Sequence, residues 1–177
     1  MARNSLSPPR MIRSVQLALI AAAAFTIAQP LRAQLPIPSF SVAGGVSNYD
    51  LSGTGTTPFG VARLDLSLLS LIAEGSVGVL RPTEDGDAHR TYIVPEAQLQ
   101  YQFLPLLVRP YIGVGAGSFR AIAGPDPHRS DLTLSASAGV RVGIPLTPIG
   151  ARGEVRVRGI GSGFTGSAVE WTLGLSW

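Results

Sequence analysis

Cysteine and lysine are both missing from this 177-residue chain, and histidine occurs only twice, at His89 and His128. Without cysteine no disulfide framework can form; an oxidising compartment is permitted but not demanded. Without lysine, arginine supplies the whole cationic complement, 14 residues against 11 acids. The resulting charge of +3 and isoelectric point near 9.9 suggest an anionic partner. Arg3, Arg10, Arg13 and Arg32 all precede Gln34, however, and every Asp and Glu follows it. Without those four, ten arginines face 11 acids, and a nucleic-acid-binding reading loses its electrostatic support. Long apolar runs are scarce as well. Val15–Ile27 is shorter than the roughly 20 residues a membrane helix needs, and no later stretch approaches even that length without a charge or a turn signal. A helical membrane protein is excluded.

What is present begins with a segment that reads as a cleavable signal peptide, residues 1–33. Arg3, Arg10 and Arg13 form a basic start, the apolar stretch contains the run Ala21–Ala24, and Leu31-Arg32-Ala33 offers a cleavage site before Gln34, with Ala28 as the alternative. Residues 34–177 then suit one domain.

That domain reads as eight alternating segments with no long helical period. They are Phe40–Ser47, Phe59–Leu68, Leu71–Leu80, Thr91–Phe103, Val108–Ser118, Leu132–Ile144, Ala151–Arg158 and Ala168–Trp177. Because successive side chains of a strand point to opposite faces, each segment has an apolar and a polar side. The expected longer connections are Leu51–Pro58, Pro82–Arg90, Phe119–Ser130 and Gly159–Ser167, alternating with short turns near Leu69, Pro105 and Thr147. Pro95 and Pro110 each remove a ladder donor, so bulges or breaks are expected there.

The polar faces carry Arg63, Asp65, Glu74, Glu96, Arg141, Arg152, Glu154, Arg156 and Arg158, a mixed set suited to ion pairs. In a membrane, turning arginine toward lipid costs about 2–4 kcal/mol each near the midplane. Three such residues therefore disfavour the inverted arrangement by about 6 kcal/mol or more. The apolar faces are expected outward and the charged set inward, as a self-neutralising interior network. Gln98, Gln100 and Gln102 add hydrogen-bonding groups, and Gly113, Gly115, Gly117, Gly139 and Gly143 leave room. Eight strands enclose a lumen that side chains fill, so a plugged core is expected, with a narrow charged channel as the alternative. Phe40, Phe103 and Trp177 at the turn ends, and Tyr49, Phe59 and Tyr92 near the loop ends, are expected to form interfacial girdles.

In the last segment Val169, Trp171, Leu173, Leu175 and Trp177 share one face. An apolar alternation ending on an aromatic residue resembles the assembly signal of bacterial outer-membrane β-barrel proteins, carried here by Trp171, Leu173, Leu175 and Trp177. Arg109–Gly117, reading Arg-Pro-Tyr-Ile-Gly-Val-Gly-Ala-Gly, resembles the corresponding strand of small barrels of the OmpA and OmpW type. The resemblance implies an all-β, eight-stranded, antiparallel, up-and-down transmembrane barrel, exported through the periplasm to the bacterial outer membrane. It further implies contact with outer-membrane lipid and lipopolysaccharide, recognition by the barrel-assembly machinery through the last strand, and a monomer. No peptidoglycan-binding domain is expected to follow. The implied role is structural or surface-interacting, without catalysis, metal or cofactor. The alternatives are an OmpW-like conduit for small hydrophobic molecules and a lipid-modifying enzyme.

The last alternative rests on His128-Arg129-Ser130, whose spacing is similar to that of the outer-membrane lipid A deacylases. Asp131 follows where that family has Asn, and Glu154 has inward parity, unable to orient an outward histidine. A polar loop entering a strand is the expected reading, with Asp126 and Asp131 no better placed. His89 reads as a solvated loop residue. Glu84-Asp85-Gly86-Asp87 lacks the further ligands of a calcium loop and reads as a solvated acidic tip.

Overall fold

The computed structural model describes residues 37–51, 53–84, 88–103, 107–124 and 130–177. The expected signal peptide lies outside these residues, as do Asp126 and His128. Among the described residues ten strands form: β1 (Ile37–Asp50), β2 (Thr54–Leu68), β3 (Leu71–Leu80), β4 (Thr83–Glu84), β5 (Ala88–His89), β6 (Thr91–Gln102), β7 (Val108–Ala123), β8 (Ser130–Gly143), β9 (Gly150–Ile160) and β10 (Gly166–Ser176). Eight of them close into one antiparallel barrel in the order β1-β10-β9-β8-β7-β6-β3-β2. The short β4 and β5 pair only with each other, making a hairpin inside the connection expected as plain loop. Neighbouring barrel strands otherwise follow each other in sequence, the topology that alternating turns and loops impose. Closure runs through β1 and β10, where Phe40 and Trp177 exchange backbone hydrogen bonds of 2.9 Å in both directions. No barrel edge is left to seek another chain.

Several strands are longer than the sequence pattern suggests. β2 has 15 residues and β7 has 16, whereas about 9–11 tilted residues cross a bilayer core. The connection expected over Leu51–Pro58 contracts accordingly to residues 51–53, and that over Gly159–Ser167 to residues 161–165. The extra length lies at the loop end, where Asn48, Asp50, Thr54, Thr56, Arg120, Ser130 and Ser167 are exposed on the outer face.

The prolines behave differently from one another. Pro110 pairs with Val140 without a register shift, and its carbonyl accepts from the Phe103 N–H at 3.0 Å. A residue's N–H and C=O point to the same neighbour in an antiparallel strand. The donor Pro110 lacks would therefore have faced β6 just where β6 ends, and no break results. Pro95 pairs with Val77 of β3, while pairing to β7 skips Val94 and Pro95 and resumes in the same register. The register shift between β6 and β7 falls at Thr91/Tyr92, not at a proline.

Sidedness follows parity along the middle of the strands. Leu64, Leu134 and Leu173 are 40%, 46% and 73% exposed on the outside, while Arg141 and Arg156 are 7% and 2% exposed within. Phe40, Phe103 and Trp177 are exposed at the turn end. Tyr101 joins Phe103 there in an edge-to-face pair with centroids 5.3 Å apart. The loop-end girdle requires correction. Tyr49, Phe59 and Tyr92 point into the lumen, where they cluster with Val61, Leu80, Val94, Phe119 and Ile160. Phe59 has the parity of Arg63 and Tyr92 that of Glu96, so strand geometry turns them inward.

Candidate functional site

The lumen is the place where chemistry-bearing side chains converge. β9 contributes four of them, because Arg152, Glu154, Arg156 and Arg158 alternate with outward-leaning Gly153, Val155 and Val157. β2 contributes Arg63 and Asp65, β3 contributes Glu74, β6 contributes Glu96, and β8 contributes Arg141. The structure brings all nine of these residues together, each buried.

Their contacts form one connected lattice. Arg152 donates to Glu74 at 2.6 Å, to Glu154 at 2.5 Å and to Asp65 at 3.4 Å. Arg156 donates to Glu74 and Glu96, both at 2.7 Å, and through Nε to Glu154 at 3.0 Å. Arg63 reaches Glu154 and Thr172, each at 3.1 Å, and Arg141 reaches Asp65 at 3.1 Å. Arg158 bonds Glu96 across the lumen. Each carboxylate thus faces at least two guanidinium groups or hydroxyls, the condition under which buried charges are tolerable.

Sequence reasoning missed two members. Glu170 of β10 accepts from Arg158 through both oxygens, at 2.7 and 3.1 Å. With it the lattice holds five arginines and five acids, so the buried charge sums to zero. Its parity among the small and polar residues of the last strand was the available signal. Tyr111 donates to Glu154 at 2.6 Å and accepts from Arg152 Nε at 2.7 Å. Arg141 and Arg152 both lie over its ring as well, with guanidinium carbons 4.9 and 5.0 Å from the centroid. Nothing in a single tyrosine codon marks such a position; it required the opposing strands.

The glutamines join the same lattice in part. Gln100 accepts from Arg141 at 2.7 Å and donates to Glu74 at 2.8 Å, and Gln98 accepts from Ser137 at 3.1 Å. Gln102 lies lower, at the turn-end mouth. Gly113 and Gly115 leave space that Gln100, Gln98 and Glu96 occupy, and Gly139 leaves space for the Tyr111 hydroxyl. Gly117 instead abuts the Pro95 backbone carbonyl.

Above the lattice, toward the loops, the apolar cluster fills the lumen. Tyr92 and Phe119 pack as a tilted pair, with centroids 4.4 Å apart and 39° between the ring planes. Gly78 supplies the space for the Phe59 ring, since a Cβ there would lie 2.7 Å from it. The Tyr49 hydroxyl donates to the Thr83 carbonyl and accepts from the Thr83 N–H, both at 2.9 Å, tying the β4–β5 hairpin to the barrel rim. The interior is therefore polar only below this level.

Of His128-Arg129-Ser130, only Ser130 lies among the described residues. Glu154 is occupied by Arg63, Arg152, Arg156 and Tyr111 inside the barrel, out of reach of an outward side chain at Ser130. Ser130 is exposed and pairs with Arg120 in the ladder. Among the described residues no group of His and acidic side chains could hold a metal ion.

An apolar exterior around a neutralised charged lumen defines a barrel of the membrane type. Solved structures agree on the fold. Neisserial surface protein A matches with a TM-score of 0.67 over 78% of this chain and 95% of its own, at 15% identity. Ail, the attachment invasion locus protein of Yersinia pestis, matches with a TM-score of 0.55 over 81% of this chain and 100% of its own, at 15% identity. No family model matches the sequence. No curated protein matches it either. The chain has the fold of the small eight-stranded outer-membrane barrels.

Proposed function

We propose that this chain is a non-catalytic integral protein of the bacterial outer membrane, exported through the periplasm, whose closed barrel holds its long connections at the cell surface for interaction. The observation that carries the reading is the double filling of the lumen, by a charge-balanced lattice and by the apolar cluster next to it. Such a barrel serves as an anchor and not as a conduit. The exposed apolar belt supports insertion in lipid, since in water so large an apolar surface would drive association. The names of Neisserial surface protein A and of the attachment invasion locus protein accord with a surface role. Lipopolysaccharide and outer-leaflet lipid are its expected surroundings, the barrel-assembly machinery its expected partner during insertion, and the monomer its expected state.

Planar-bilayer recording of the refolded residues 34–177 tests the sealed lumen. The expected trace shows no sustained stepwise current. Replacing residues 83–90 with a short glycine-serine turn is expected to leave folding intact while abolishing adhesion of barrel-displaying cells to host-type surfaces. Stable conductance steps, or adhesion unchanged by that replacement and by replacement of the other three loops, would sink the proposal.

A further inference from the structure

Below the lattice, at the turn end of the barrel, lies a cavity of about 270 Å³ that the sealed-anchor reading does not use. Ser39, Asp65, Ser67, Gln102, Arg109 and Arg141 are among the polar residues of its wall. Arg109 and Arg141 are direct cross-strand partners on β7 and β8, and Arg141 is in turn opposite Arg152 of β9. Like charges placed side by side repel unless an anion lies between or before them. Arg141 and Arg152 share Asp65; Arg109 has no acidic partner among the described residues. Residues 1–36 and 104–106 contain no acid that could supply one.

Five arginines balance five acids in the lattice, and Arg109 is a sixth cation at the mouth. Its guanidinium lies over the inward face of Gly143, where an added Cβ would be 3.7 Å from Nη2. The Nε of Arg109, the Nε of Arg141 and Oδ1 of Asp65 all lack hydrogen-bond partners. Arg141 and Asp65 are themselves more than nine-tenths buried. The wall thus offers donors on two guanidinium groups and, on its other side, an acceptor.

We infer that the turn-end mouth is a binding site for a phosphate group, held by Arg109 and Arg141 with a protonated phosphate oxygen donating toward Asp65. Planar guanidinium forks match tetrahedral oxyanions through paired charge-assisted hydrogen bonds. A singly charged dihydrogen phosphate, or a phosphomonoester monoanion, brings one negative charge to the two guanidinium groups, and its remaining hydroxyl satisfies the carboxylate. The proposal depends on the membrane reading solely for which compartment the mouth faces, the periplasm.

The test uses the refolded barrel in nanodiscs of phosphatidylcholine, titrated with inorganic phosphate at constant ionic strength and followed by calorimetry. The expected result is saturable binding of one phosphate per barrel, weakened about tenfold or more by Arg109→Gln. Arg120→Gln, on the outer face at the opposite end, is expected to bind as the unaltered protein does. Ser67→Leu, which narrows the cavity without removing a charge, is expected to weaken binding too, and covers the case in which Arg109→Gln fails to give a heat-modifiable folded band. Repeating the titration in discs that contain phosphatidic acid, whose phosphomonoester keeps a hydroxyl, separates the sources. Weaker apparent binding identifies a lipid headgroup as the occupant, and unchanged binding identifies a soluble phosphate. Absence of saturable binding, equal binding by Arg109→Gln and the unaltered barrel, or equal competition by chloride would overturn the site, whatever the conductance experiment returns.

Discussion

At the scale of single residues the lumen is governed by charge balance. Glu170 makes the count even, and it does so through the two-point contact with Arg158. Removing one partner of a buried pair strands the other charge, at a cost of about 3–5 kcal/mol, whereas replacing both with apolar groups is far cheaper. Glu170→Gln leaves Arg158 with Glu96 as its one remaining acid and the lattice one negative charge short, and is expected to lower the unfolding free energy in urea-vesicle titrations by about 3 kcal/mol. The double variant Arg158→Leu/Glu170→Leu is expected to lose less than Glu170→Gln alone. A double variant less stable than the single one would show that the contacts of Arg158, to Glu96 as well as to Glu170, are worth more than their desolvation cost.

At the scale of elements the seam between β1 and β10 decides whether the barrel exists. Gly45 faces the Trp171 carbonyl so closely that an added Cβ would sit 1.7 Å from the oxygen, while Gly44, one residue earlier and facing outward, has nothing within 4 Å. Gly45→Ala is expected to block closure both in refolding and in cells, read as loss of the heat-modifiable band; Gly44→Ala is expected to fold normally. Trp177→Ala is expected to separate the two settings. Its outward ring has no role in closure, so refolding in vesicles should persist while the yield in cells falls if the last strand is the assembly signal. Equal loss in both settings would assign Trp177 a structural role only.

At the scale of the whole molecule the structure changes its polarity along its axis. Through the middle, the outside is apolar and the inside charged. Near the loops the outside carries Asn48, Asp50, Thr54, Thr56 and Arg120, and the inside carries Tyr49, Phe59, Tyr92 and Phe119. The upper barrel thus resembles a water-soluble one, and the level of the change marks where hydrocarbon gives way to water. Leu134→Arg, in the apolar belt, is expected to cost about 2–4 kcal/mol in vesicle unfolding experiments, and Thr56→Arg about 0–1 kcal/mol. Similar costs at the two positions would place the boundary elsewhere.

This inversion explains what could be read from the chain and what could not. Period-two alternation located the eight barrel strands and the face carrying Arg63, Arg141, Arg152, Arg156 and Arg158, because parity is a local property of extended backbone; their up-and-down order was implied by the resemblance and by the alternation of short turns with longer connections. Assigning Tyr49, Phe59 and Tyr92 to an outer girdle failed because it treated nearness to a loop as evidence of facing lipid, when parity already turned them inward. The pairing of Arg158 with Glu170, the contact of Tyr111 with two arginines and the isolation of Arg109 were decided only in three dimensions. Each depends on the stagger of strands around a closed barrel, which sets which residues meet across the lumen, and no local pattern encodes that stagger.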